Sequence, residues 1–348
     1  MSLFSDGIKY VFGGYIKEEK VRFSSTSGGA FSAIVDTYCD ENYVIFGAAA
    51  EGLKVFHTYI TDKKDLEKFR KSKYSQSNMG TSYKDVKTFL QEGKKVLFSG
   101  TPCQIAGIKT FLEVSKIDTA NLLTVEVVCE GVPSPLYIRK YEKALQKKYG
   151  RKIESLDYRY KGKSCFNCGK WDFQVMKTRL FDYSKEITID RWFNPFWSIW
   201  LNHLMSRPSC YECHFARNER TADISLGDLW GVHLYCPELY GNNGGATVVF
   251  ANTDKGKEIV LKSQDKMYGH ELKKEDALRY QAPMRKHIDS NPKRDAFMTD
   301  LESDMTYEEL NKKWAKKPTL KLLWQKYVWG NRQKIWLWNL TKGKYSIR

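Results

Sequence analysis

The stretch KKVLFSGTPCQIAGIKTFL, residues 94–112, limits the possible folds of this chain more than any other. An apolar, strand-like run reaches Gly100 and a helix begins immediately after it. Thr101 fits an N-cap, Pro102 suits the first helical position, and Gln104 is placed to close a capping box. Around this unit, strand-like segments (43–50, 95–99, 122–128) alternate with helix-like ones (30–38, 83–90, and the helix from Pro102). Such alternation specifies an α/β lobe over residues 1–150. Ser134-Pro135 opens a further helix, with Ile138, Tyr141 and Leu145 on one side and Gly150 as its stop. Residues 151–300 are more irregular and aromatic-rich and read as a mixed α+β lobe, followed by a helical basic tail over 301–348.

Hydrophobic residues at 42% and charged residues at 28% describe an ordinary soluble globular protein. The first twenty residues hold no uninterrupted apolar core of a secretory signal. No stretch approaches the roughly 18 to 20 apolar residues of a membrane-spanning helix. The expected location is the cytoplasm, with the inner face of the membrane open because of the tail. There the eight cysteines are expected as thiols, metal ligands or redox groups, not as structural disulfides.

Cys103 falls in the first turn of its helix, where backbone N–H groups and the helix dipole favour a thiolate, although a buried packing cysteine is the plainer reading. Cys210-Tyr211-Glu212-Cys213 and Cys165-Phe166-Asn167-Cys168 share a spacing that lets two thiolates reach one metal or cluster. Together they would make a four-cysteine zinc site, though the gap between them exceeds the usual ribbon spacing. A competing set joins Cys210 and Cys213 to Cys103 and Cys129, both of which follow strand-like runs. Spacing leaves zinc and iron–sulfur equally open.

Ser25-Thr26-Ser27-Gly28-Gly29 precedes a helix patterned by Phe31, Ile34, Val35 and Tyr38. Small hydroxyl residues and glycines there admit a phosphate or a flavin edge, and they equally suit an ordinary cap. No G-x-G-x-x-G follows a strand, so a Rossmann dinucleotide site is not supported.

Six segments occur in an ordered series: FSSTSGGAFSA (23–33), KYSQSNMG (73–80), SGTPCQIAGI (99–108), VVCEGVPSP (127–135), RPSCYECHF (207–215) and ADISLGDLWG (222–231). The series resembles the coenzyme F420 hydrogenase/dehydrogenase beta-subunit family, over about residues 10–260. The resemblance implies an iron–sulfur flavoprotein that passes electrons between a deazaflavin or other carrier and a second substrate. It implies one 4Fe-4S cluster on Cys103, Cys129, Cys210 and Cys213, and FAD in preference to FMN. The flavin positions carried over are Ser25 to Gly29, Lys73, Tyr74, Gln76, Ser77 and Thr101. Gln104 is either a capping partner or faces the flavin, and Asp223 and Asp228 bond flavin or ribose groups, a turn-forming role being the alternative for Asp228. Cys165 and Cys168 match no family ligand, and Cys39 and Cys236 read as structural. Two departures stand out. A cysteine-rich, ferredoxin-like N-terminal segment common in relatives is lacking, and Glu130 stands where many relatives have His. No histidine is assigned a catalytic role, and Arg217 and Arg220 read as loop-surface charge.

The net charge of +16 concentrates at the end of the chain, where residues 311–348 carry eleven Lys and Arg and no Asp or Glu. Leu320, Leu323, Trp324, Tyr327 and Val328 recur at helical spacing, with further tryptophans in KIWLWNLTKGKY. Membrane-surface contact through 312–348, packing on the body and docking to an acidic partner all fit this pattern. No fold or motif supports nucleic acid. The family resemblance implies oxidoreduction of a small molecule and, taken with the tail, makes a nucleotide- or lipid-linked sugar of surface polysaccharide synthesis one candidate substrate. The external electron donor would be ferredoxin, a deazaflavin coenzyme or NAD(P)H. The alternatives are an electron-transfer subunit without its own substrate, or a zinc-stabilised basic binding module.

Overall fold

Val96, Leu97 and Phe98, like Leu122, Leu123 and Val125, are buried whichever way they point, as expected for parallel strands covered on both faces. The computed structural model describes residues 3–161, 175–183, 185–240 and 244–341. Its strands are β1 (Tyr10–Ile16), β2 (Tyr43–Glu51), β3 (Lys54–Ile60), β4 (Lys95–Gly100), β5 (Leu122–Val127), β6 (Ile153–Tyr160), β7 (Val175–Leu180), β8 (Glu186–Ile189), β9 (Ile224–Asp228), β10 (Thr247–Ala251) and β11 (Met267–Glu271). Eight form one sheet in the order β11-β1-β10-β9-β5-β4-β2-β3. The middle four (β9, β5, β4, β2) run parallel, and antiparallel strands extend both flanks.

Period-two alternation sorts this sheet's side chains onto two helical layers. Leu97, Leu123, Val125 and Ile45 face the helix Ala30–Tyr38 and Val260 of the helix Asp254–Ser263. Val96, Phe98, Val44 and Phe46 face Val86 and Leu90 of the helix Ser82–Gln91 and Ile105, Ile108 and Leu112 of the helix Pro102–Val114. The α/β expectation holds, and the strands and helices read at 30–38, 43–50, 83–90, 95–99, 102 onward and 122–128 are present within a residue or two.

The chain divides into two units by contact, at points other than residue 150. One comprises residues 1–132, 208–230 and 245–288; the other comprises 133–207, 231–244 and 289–348. The physical reason is β9, which pairs in parallel with β5 and antiparallel with β10 and so returns the Cys210–Cys213 stretch to the sheet-bearing unit. Such long-range pairing leaves no trace in local periodicity.

The second unit is of mixed α+β type, with β6, β7 and β8 as a three-stranded antiparallel sheet. Its core is aromatic: Tyr137 and Tyr141 of the helix Pro135–Tyr149 meet Tyr307, while Tyr158, Phe196, Trp197 and Trp200 pack together. That helix begins with Ser134 accepting from the Leu136 N–H and ends at left-handed Gly150, as its sequence signals require. The helices Leu320–Tyr327 and Asn331–Leu340 realise the helical tail.

Candidate functional site

In open α/β sheets, ligands gather beyond the carboxyl ends of the parallel strands. Cys103 and Cys129 lie at that edge. Cys103 lies three residues past β4, exposed in the first turn of Pro102–Val114, with its Sγ 3.2 Å from Thr101 Oγ1. Gln104 Oε1 accepts from the Thr101 N–H at 2.9 Å, so the capping chemistry read from TPCQ sets where this helix starts. Cys129 lies two residues past β5. Left-handed Gly131 (φ 102°) lies against Cys210: a Cβ there would come 3.3 Å from Ile288 Cδ1 and 3.4 Å from Cys210 Cβ. Burial pushes the Cys129 thiol up to about 12, a contact with the Gly131 backbone opposes this, and Cys103, Cys210 and Cys213 are each near enough to push it further. Cys129 and Cys210 thus lie on segments that touch at Gly131, and Cys103 follows the strand next to that of Cys129. Among the described residues, no group of three or more His, Cys, Asp or Glu side chains is arranged around a single metal position.

What holds these segments is a buried ion pair absent from the sequence reading. Glu126 of β5 is fully buried, and its Oε1 accepts from Arg220 Nε at 2.5 Å and from Ser225 Oγ at 2.7 Å. Its Oε2 accepts from Thr221 Oγ1 at 2.8 Å. Arg220 Nη1 also donates to the carbonyls of Phe215 and Arg217, fixing the chain just beyond Cys213. Thr221 Oγ1 lies 3.2 Å from the Pro102 carbonyl, beside Cys103. One carboxylate thus links the strand before Cys129, the segment after Cys213 and the helix bearing Cys103. Arg220 is not loop-surface charge, as the sequence suggested; it is 2% exposed and paired. Arg217 does lie at the surface, paired with Glu219 at 2.8 Å.

The segments carried over as flavin-binding also meet. Thr26 Oγ1 accepts from the Ser72 N–H at 2.7 Å, and Arg70 donates to Ser24 Oγ and Ser32 Oγ. Lys73 Nζ donates to the carbonyls of Lys68 and Arg70. Tyr74 is half-buried and Gln76 exposed on the same segment. Ser77 is buried and joins a chain of bonds: Gln104 Nε2 donates to Ser77 Oγ at 2.8 Å, and Ser77 lies 2.7 Å from His57 Nδ1. His57 Nε2 lies 2.9 Å from the Ser99 carbonyl, which only accepts, so Nε2 carries the proton and Nδ1 accepts from Ser77. A neutral ring agrees with its lowered pKa, caused first by burial. Both ends of Gln104 are therefore committed, to Thr101 and to Ser77, which favours its capping and bridging role.

Other positions also make close contacts within the chain. A Cβ on Gly28 would lie 2.5 Å from the Gly14 carbonyl oxygen and 2.7 Å from the Thr247 nitrogen, so glycine is needed for backbone contact with β1 and β10. Gly29 adopts a left-handed conformation (φ 86°) ahead of its helix. Ser25 Oγ donates to the Val21 carbonyl, and Ser27 Oγ donates to that of Ala246. Asp223 accepts from the Thr124 N–H and hydroxyl on one oxygen and from Thr253 Oγ1 on the other, clamping the start of β9. Asp228 closes the same strand at the opposite end, among the strand ends that bear the cysteines. Asp223 is thus committed to Thr124 and Thr253, whereas Asp228 lies on the sheet edge where β5 also ends. Cys39 and Cys236 are fully buried, and burial pushes the Cys39 thiol up to about 12. Cys165 and Cys168 lie outside the described residues. A cleft of about 350 Å³ along the β1–β11 edge, lined by Tyr10, Val11 and Glu271 to Lys274, contains none of the candidate side chains.

Sequence reasoning missed His57, Arg70, Glu126 and buried Arg22, whose guanidinium stacks 3.4 Å from the Tyr15 ring centroid and donates to the Gly245 carbonyl. Only the placement of a charge inside an apolar strand, TVEVV, hinted at one of them.

The sequence profile describing the C-terminal region of the beta chain of coenzyme F420 hydrogenase/dehydrogenase matches residues 93–276, just over half of the chain. No curated protein matches it. Among solved structures, a chain of the F420-reducing (NiFe) hydrogenase complex from Methanosarcina barkeri, in a xenon-derivatised form, shares the fold. The two superpose with a TM-score of 0.50 at 14% identity, over 88% of this chain and 91% of that one.

Proposed function

From the premise that this chain belongs to the coenzyme F420 hydrogenase/dehydrogenase beta-subunit family, we propose that it is an oxidoreductase holding one 4Fe-4S cluster and FAD. One arrangement supports the reading: Cys103 and Cys129 follow the adjoining parallel strands β4 and β5, Cys210 lies against Gly131 just beyond Cys129, and the helix bearing Cys103 is hydrogen-bonded to the candidate flavin segment. The donor set is all sulfur, which suits iron–sulfur clusters. Cys103, Cys129, Cys210 and Cys213 would hold the cluster. Ser25 to Gly29, Lys73, Tyr74, Gln76, Ser77 and Thr101 would hold the flavin, with Arg70 and Lys73 offsetting diphosphate charge. Bound there, the two groups supply one-electron transfer and hydride chemistry.

The residues of the chain do the rest. Glu126, Arg220 and Thr221 preset the spacing of the cysteine-bearing segments before anything binds. Neutral His57 holds Ser77 as an acceptor for Gln104 and so keeps the two segments in register. Exposed Cys103 leaves the sulfur site open to an external carrier, for which a deazaflavin coenzyme is the first candidate and ferredoxin or NAD(P)H the others. The second substrate is a small molecule; a nucleotide- or lipid-linked sugar rests on family likeness alone. Anaerobic purification followed by an absorption spectrum with iron, zinc and flavin analysis tests the proposal. About four irons and one flavin per chain support it. A colourless protein with one zinc refutes it in favour of a structural metal site.

A further inference from the structure

The tail changes character at Lys316. Up to that residue it is tied to the body of its unit: Trp314 Nε1 donates to Asp300 at 2.6 Å, Lys313 pairs with the same carboxylate at 2.7 Å, and Lys316 bonds Ser198 and Asn202. Beyond it, two short helices carry large apolar side chains in water. Leu320 is 86% exposed, Trp324 60% and Leu340 65%, with Val328, Trp329 and Trp336 about half exposed. Leu320, Trp324 and Val328 lie four residues apart and form one stripe; Trp336 and Leu340 repeat the spacing on the second helix. Packing on the body, one of the readings open from sequence, does not cover these side chains.

The surrounding charge identifies the occupant. Lys317, Lys321 and Lys334 are exposed beside the stripes, and no acidic residue occurs from Asn311 to the end of the sequence. A nucleic acid or an acidic protein surface would satisfy the lysines but leave Leu320, Val328 and Leu340 in water. An anionic bilayer takes both, with the lysines at its phosphates and the Trp and Leu side chains at the acyl boundary. At eight and ten residues the helices span about 12 and 15 Å, against the roughly 30 Å of a hydrocarbon core. No helix among the described residues is long and apolar enough to cross a membrane.

We propose that the helices Leu320–Tyr327 and Asn331–Leu340 form a peripheral docking surface for an anionic lipid bilayer. The inference stands independently of the redox reading. It is tested with the full chain by co-sedimentation with vesicles of phosphatidylglycerol and phosphatidylcholine in equal parts, and with vesicles of phosphatidylcholine alone. Binding should be about tenfold or more tighter to the anionic vesicles and fall with added salt. Trp324→Ala combined with Trp336→Ala should weaken it by a further factor of about ten with an unchanged thermal midpoint, since both rings are exposed. Lys321→Glu with Lys334→Glu should remove the preference for anionic lipid. Equal binding to both vesicles, variants that bind as well as the parent, or retention on DNA without vesicle binding would each overturn the proposal. Iron and flavin content measured on the same samples keeps this outcome separate from that of the redox assignment.

Discussion

Replacing Arg220 with Met removes the cation from a carboxylate that has no route to water. Glu126 is 0% exposed and Arg220 2%, so neither charge can rehydrate without opening the sheet. Breaking a buried pair from one side costs about 3 to 5 kcal/mol, because the remaining charge stays desolvated. Two hydroxyl donors, Ser225 and Thr221, still reach Glu126 and soften the loss, so the lower half of that range is expected. Removing both partners, as in Glu126→Leu with Arg220→Met, should recover much of the deficit, since apolar replacements of a buried pair are often near neutral. Urea unfolding midpoints of the parent, both single variants and the double variant close the thermodynamic cycle. A second readout separates anchoring from bulk stability. Arg220 also holds the carbonyls of Phe215 and Arg217, so the double variant should regain stability without regaining full iron loading. If Arg220→Met costs less than about 1 kcal/mol, or if the double variant loads iron as the parent does, the linking role assigned to this pair is wrong.

Cys103→Ser should abolish iron incorporation while Cys39→Ser, at a fully buried packing position, leaves it intact; iron per chain after anaerobic reconstitution decides. Gly28→Ala should destabilise by about 1 to 3 kcal/mol or prevent folding, because the added methyl meets the Gly14 and Thr247 backbones, and denaturant unfolding measures it. Asp40 is lowered to about 2, first by its hydrogen bond from Lys95, so its contribution is full above pH 4 and is lost as pH falls toward 2. Lys95→Met should flatten that part of the thermal midpoint against pH. His57 is lowered from 6.5 by burial, so the stability it contributes as a neutral ring is full above pH 6.5 and declines below it. His57→Gln should remove the decline, read from the same midpoint profile.

Where local chemistry decides structure, the sequence was readable. TPCQ carries its own helix start, SP and Gly150 bracket a helix, and the apolar runs of β2, β4 and β5 declare buried parallel strands. The division into two units was not readable, because β9, starting at Ile224, and β10, starting at Thr247, join the sheet far along the chain from the end of β5 at Val127, and such pairing leaves no local signal. The cysteines illustrate both halves of this. Cys103 and Cys129 could be placed at strand ends from periodicity, but no spacing rule chose between Cys165 and Cys210 as sources of the partner pair; that choice came from the ordered motifs. The residue that supplies the missing link, Glu126, sits in a strand where a carboxylate is out of place. A lone charge in a buried strand implies a partner elsewhere in the chain, and here Arg220 follows the partner cysteines by seven residues. The Glu126–Arg220 pair therefore does in the folded chain what the spacing of the cysteines cannot do in the sequence: it ties the stretch just beyond Cys213 to the strand that precedes Cys129.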